Sequence, residues 1–234
     1  MKTDKLNPSR LAQKFRIDNG LSQNEAVNVK SLLRKLNILT VYRPLSESAC
    51  GLSLKSPKGY CFILINSNNS RGRQHFTIAH ELYHLFYDEN PYPHICSKDG
   101  ASKTERCADR FASALLMPED GIIEMLSDEE YANKKITIAQ VLRLEQYFGV
   151  SRTTMLFRLK ELNLLSATQF EQLKAYPVIR SAREYGYDES LYQPGNGNLV
   201  IGDYGEKARL LFEEEKISEG HYLELLKQIR NDED

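Results

Sequence analysis

His80-Glu81-Leu82-Tyr83-His84 sets two imidazoles four residues apart with a carboxylate between them. On an α-helix, at about 100° per residue, the two histidines project about 40° apart on one face, one turn from each other. That spacing suits two ligands of one tetrahedral Zn²⁺. Glu81 lies on the flank of the same face, within reach of a water at the metal but without displacing it. Downstream, Glu105-Arg106-Cys107-Ala108-Asp109 puts two carboxylates on one helix face together with Ala108 and Ala112. The small alanines allow close helix approach, so Glu105 is the candidate third ligand. Asp109 is then placed to accept a hydrogen bond from the free ring nitrogen of a ligand histidine, His80 above all. The plain alternative is two histidines a turn apart by coincidence, beside a solvated acidic face. A His₂Glu set suits Zn²⁺ best and also admits Mn²⁺, Fe²⁺ or Co²⁺.

These residues need helices and something to pack them on. Ile78, Leu82, Leu85 and Phe86 form an apolar stripe on the first helix, expected over about Arg73 to Tyr87 and ended by Asn90-Pro91-Tyr92-Pro93. Ser102 is a natural cap for the second, which stops at Met117-Pro118. Upstream, Ile38 to Arg43, Cys50 to Lys55 and Tyr60 to Asn66 read as strands, the last two joined by the turn Ser56-Pro57-Lys58-Gly59. The third strand is nearly all apolar and is expected to be the most buried. Residues 9–16 and 22–36 have helical spacing, as do Thr137 to Phe148 and Ser151 to Leu162. The Tyr185 to Ile201 stretch reads as irregular, and about Glu206 to Arg230 reads as a helical hairpin with Ile217-Ser218 at its joint.

The 234 residues carry 41% hydrophobic and 27% charged residues and a formal net charge of −1. This is ordinary globular composition, with no global field favouring nucleic acid or anionic membrane. No apolar h-region follows the amino terminus, and no apolar run is long enough to span a bilayer. The four cysteines form no Cys-x-x-Cys pair, so the expectation is a cytoplasmic protein with reduced thiols as core fillers.

Phe62 to Asn66, then Arg73-Gln74-His75-Phe76-Thr77-Ile78-Ala79-His80-Glu81-Leu82-Tyr83-His84-Leu85, then Glu105 through Ala112 and Leu115-Leu116-Met117-Pro118, resemble the ImmA/IrrE-type metallo-endopeptidases. The resemblance is close over about residues 60–120 and looser to about 165. It implies a gluzincin-like site: His80, His84 and Glu105 as zinc ligands, and Glu81 as the catalyst. The implied fold is α+β, a zincin-like core whose small, mainly antiparallel sheet packs on the H-E-x-x-H helix, followed by a helical extension. The implied partner is a protein substrate, a helix-turn-helix transcriptional repressor, cleaved to relieve repression. Tyr83 departs from the family, which often has Gly there. Many relatives also carry an amino-terminal DNA-binding domain, and this chain starts too near its core to hold one.

The chain divides into a metallopeptidase core (1–125), a helix-turn-helix-like region (126–165) and a mostly helical extension (166–234). Phe148-Gly149-Val150-Ser151 between two helices, with Arg152, Arg158 and Lys160 on the second, supports a rival reading as a DNA-associated regulator. The apolar residues there are equally what a packed helix pair needs, and the charge balance argues against direct DNA binding. A third reading is a metal-containing module that sequesters its partner without cutting it. His75, Tyr83, Tyr92 and His94 are candidates for a second oxyanion-stabilising group. His221 is expected to be exposed.

Overall fold

The computed structural model describes residues 7–88, 102–227 and 229, together with the backbone of strand 94–97. Its elements run α1 (Pro8–Asp18), α2 (Val29–Lys35), β1 (Leu39–Arg43), β2 (Ala49–Lys55), β3 (Cys61–Asn66), α3 (Arg71–Tyr87), β4 (His94–Ser97), α4 (Lys103–Leu116), α5 (Glu119–Glu124) and α6 (Asp128–Asn133). Then come α7 (Ile138–Phe148), α8 (Arg152–Glu161), α9 (Ala167–Lys174), α10 (Val178–Glu184), a 3₁₀ turn (Glu189–Tyr192), β5 (Val200–Ile201), α11 (Tyr204–Glu213) and α12 (Glu219–Lys227). The fold is α+β.

Five strands form one sheet in the order β4-β2-β3-β1-β5. The β2–β3 hairpin is antiparallel, as are β2–β4 and β1–β5, while β1 and β3 run parallel. The apolar β3 thus lies mid-sheet, with Ile63 and Ile65 fully buried. Asn66, polar yet buried at its end, is satisfied all round. Its Nδ2 donates to the carbonyls of Ser46 and Ala49, and its Oδ1 accepts from the amides of Leu45 and Asn68. These bonds fix the turn that launches α3.

Two departures from the sequence expectations have local causes. The helix expected over 22–36 forms only as Val29–Lys35, where Val29, Leu32 and Leu33 face the core. Ahead of it, the buried Arg16 guanidinium donates to the carbonyls of Ser22 and Glu25 and holds that backbone out of a helix. The stretch around 185–201 is not wholly irregular. It contains the 3₁₀ turn and β5, a two-residue strand that borders β1 with Thr40 opposite Ile201.

A single apolar cluster runs from Ala12 to Ile201, joining one face of the sheet, through Tyr42, Ile63, Ile65 and Ile201, to helices between α1 and α10. Buried arginines lock its helices together at the carboxyl end of α4. Arg16 Nε donates to the Leu115 carbonyl at 2.9 Å, and Arg158 Nε donates to the Met117 carbonyl at 3.0 Å. Each satisfies a carbonyl that a helix end leaves without an internal partner. In α8, Arg152 is likewise internal, ion-paired with the buried Glu145 of α7 at 2.8 Å. Two of the three cations behind the DNA-associated reading, Arg152 and Arg158, are therefore engaged inside the protein. Among the described residues, no helix is long and apolar enough to cross a membrane.

Candidate metal centre

The α3 helix serves two faces. Ile78, Leu82 and Leu85 are buried in the core, whereas Phe86, expected to join them, is 40% exposed. Its ring meets the edge of Phe15 and lies under Lys55 Nζ. Close approach on both sides of α3 depends on glycine. A Cβ at Gly51 of β2 would fall 2.8 Å from Thr77 Cγ2 and 2.7 Å from the Leu64 carbonyl oxygen. A Cβ at Gly72 would fall 2.7 Å from the Ser151 amide nitrogen. Neither contact is sterically tolerable for any other residue. On the second helix, Ser102 accepts from the Glu105 amide at 3.1 Å, fixing the turn that presents Glu105. Ala108 and Ala112, both fully buried, let α4 lie close along α3.

This packing brings His80, His84 and Glu105 together, all buried, with one ligand atom of each lying within 4.8 Å of the others. The two Nε2 atoms are 3.2 Å apart. Glu105 reaches His80 Nε2 at 3.2 Å through Oε2 and His84 Nε2 at 3.5 Å through Oε1. Both Nδ1 atoms face carboxylates instead, His80 towards Asp109 at 2.8 Å and His84 towards Asp88 at 2.9 Å. With each Nδ1 so engaged, both Nε2 atoms and the Glu105 carboxylate converge as donors. A carboxylate behind each imidazole fixes its tautomer and raises its basicity as a ligand. The residues present therefore fit a divalent metal of the kind that takes nitrogen and oxygen donors.

The electrostatics agree with that donor set. Burial disfavours a charged His80, but hydrogen bonds to Asp109 and Glu105, with Glu81 close by, raise its pKa to about 10. These carboxylates hold a proton on His80 in the metal-free protein, and a divalent cation bound at Nε2 would take that proton's place. Glu81, fully buried on the turn that carries His80, has its carboxyl pushed up to about 7 by burial, against the opposing pull of His80 and the Ser53 hydroxyl.

Other candidates lie elsewhere. His75 donates from Nδ1 to the Gly149 carbonyl at 2.8 Å and ties α3 to the α7–α8 turn. Tyr83 is half-buried, its ring packed on Tyr87 and Phe111 and edge-on to His84. Tyr92 and the His94 side chain lie outside the described residues. His221 is exposed.

Sequence reasoning missed two participants. Asp88 stands four residues after His84, the same i, i+4 relation that exposed the ligands, but it falls where the helix ends and reads as part of the stop signal. Ser53 carried no local signal, because only the folded sheet decides which strand residue faces Glu81.

No curated relative matches the chain. A solved structure, a Mycobacterium tuberculosis transcriptional regulator, is similar over 65% of this chain at 16% identity with a TM-score of 0.43; the match covers 46% of that protein, so the chain spans less than half its length. The family model described as the IrrE N-terminal-like domain, a peptidase family, matches residues 33–160. That span runs from α2 through α8 and contains His80, Glu81, His84, Glu105 and Asp109. With more than half of its residues matched, the chain belongs to the IrrE N-terminal-like peptidase family.

Proposed function

We propose that this chain is a zinc-dependent endopeptidase with a zincin-like core, acting on a protein partner, a helix-turn-helix repressor. The observation that carries the reading is the buried convergence of His80, His84 and Glu105 with Glu81 beside them on one helix. When bound there, a divalent cation such as Zn²⁺ supplies Lewis acidity to a water and to the peptide carbonyl. Glu81 takes the proton of the attacking water and passes it to the leaving amine. Asp109 and Asp88 hold the two imidazoles in the orientation that keeps Nε2 directed inward. Gly51 and Ser53 bring β2 against α3 on the Glu81 side, and β4 borders β2 at one edge of the sheet. A substrate segment extended along that edge would add a strand and cross the face of the site.

The test is incubation of the zinc-loaded chain with a helix-turn-helix repressor encoded beside it, wild type against Glu81→Gln, with metal content measured in both. Cleavage by wild type, abolished by chelator and reduced about 10²–10⁴-fold by Glu81→Gln with metal retained, is the expected result. Equal binding of the repressor by both proteins without cleavage would replace the peptidase reading with sequestration.

A further inference from the structure

A pocket of about 480 Å³ opens beside the metal centre between α3, α4 and α8. Phe76 of α3, Asp109, Arg110 and Ser113 of α4, and Phe157 and Glu161 of α8 line it. It meets the site at Asp109, which binds His80 Nδ1 with one oxygen while its side chain remains 54% exposed. Phe76 precedes His80 by one helical turn, a rise of about 6 Å. An extended peptide advances about 3.3–3.5 Å per residue, so a chain crossing the ligands brings a side chain near the scissile bond within reach of the pocket.

The lining indicates what enters. In α8 the apolar residues Met155, Leu156 and Leu159 are fully buried, yet Phe157 is 57% exposed. Its ring meets Phe170 on one side and borders the pocket on the other. A large aromatic held partly in water beside a concave apolar surface is the arrangement of a recognition site. Arg110, Asp109 and Glu161 stand at the pocket wall, where Asp109 is bound to His80 and Glu161 is paired with Arg158.

We propose that this pocket receives a large apolar side chain of the substrate adjoining the scissile bond, and that Phe157 determines that preference. The inference rests on the peptidase reading, and its test separates the two. Fluorescein-labelled peptides of about ten residues, identical except for Leu, Trp, Ala, Lys or Asp at the centre, are titrated against the zinc-loaded full chain carrying Glu81→Gln. Because the chain contains no tryptophan, a central Trp also reports its own burial by a blue-shifted emission. The expectation is binding of the Leu and Trp peptides about 10-fold tighter than Ala. Phe157→Ala and Ser113→Phe, the first emptying and the second filling the pocket, should each erase that preference while leaving affinity for the Ala peptide within about 2-fold. No binding, a flat preference, a preference for Lys or Asp, or an apolar preference that survives both variants overturns the pocket. Wild-type chain given the same peptides then tests the chemistry separately: a selective pocket without cleavage sinks the peptidase reading and leaves the pocket standing.

Discussion

Two helix pairs bury charge in this protein, and they do so in opposite ways. In α7–α8, Glu145 and Arg152 are both buried and neutralise each other, with Ser181 accepting a further bond from the guanidinium. In α3–α4, His80, His84 and Glu105 turn their lone pairs towards one another, with Asp88, Asp109 and Glu81 adding carboxylates around them. The first arrangement cancels its charge with its own residues, although Arg152 Nη1 makes no hydrogen bond among the described residues. The second converges three side chains on one point that a divalent cation would occupy. Burial of charge alone does not identify a functional site, and what distinguishes one is whether the buried groups cancel or converge.

Breaking the self-cancelling pair should give the largest effect on stability. Arg152→Ala strands the buried Glu145 carboxylate and should cost roughly 3–5 kcal/mol in denaturant unfolding, whereas Glu145→Leu with Arg152→Met should cost far less. If the single and double variants were equally destabilised, the pair would be contributing packing rather than charge balance.

The converging pair should respond to metal instead. Zn²⁺ at a hundredfold over its dissociation constant should raise unfolding stability by about 2.7 kcal/mol in the wild type, and Glu105→Ala should lose most of that gain. A thermal shift that is the same in both proteins would place the metal elsewhere.

Asp88→Asn and Asp109→Asn sharpen the contrast within the site. Each should weaken zinc binding by about 10–100-fold in competition titrations. Since Asp88 lies at the helix end and Asp109 on the neighbouring helix, equal effects would show that the source of the carboxylate matters less than its geometry.

The smallest effect joins the two pairs. Burial lowers the pKa of His75 below its ordinary 6.5 despite the bond to the Gly149 carbonyl. The unfolded chain therefore takes up this proton first. The His75 contribution to stability is full above about pH 6.5 and declines as pH falls through and below that value. His75→Gln should flatten this part of the stability profile, and an unchanged slope would assign the acid sensitivity to other groups.

How much was legible in the sequence follows the range of the interactions. His80, Glu81, His84, Glu105 and Asp109 declare themselves through spacing within a helix, where three or four residues define a face. The β2–β3 hairpin was equally local. Pairings that depend on distant segments left little trace. A two-residue strand such as β5 has no period to detect, and Arg16, which reads as one more polar residue of α1, reshapes residues 22–28 through carbonyls that any sequence would offer. The strand expected to be most buried lies at the centre of the sheet, and Ile38 to Arg43 reads as a strand, yet alternation alone does not show that the two pair in parallel.

The amino end of α3 carries a further consequence. Its Arg71 amide donates to the Gln193 carbonyl, Gln74 donates to Gly195, and Asn196 donates back to Gln74, across more than 115 residues of chain. Strand β5 closes the sheet from the same late stretch. During synthesis the helix bearing His80 and Glu81 leaves the ribosome long before these clamps exist. The nascent chain can form its hairpin and its helices early, but the anchoring of the helix bearing His80 waits for the stretch 193–201.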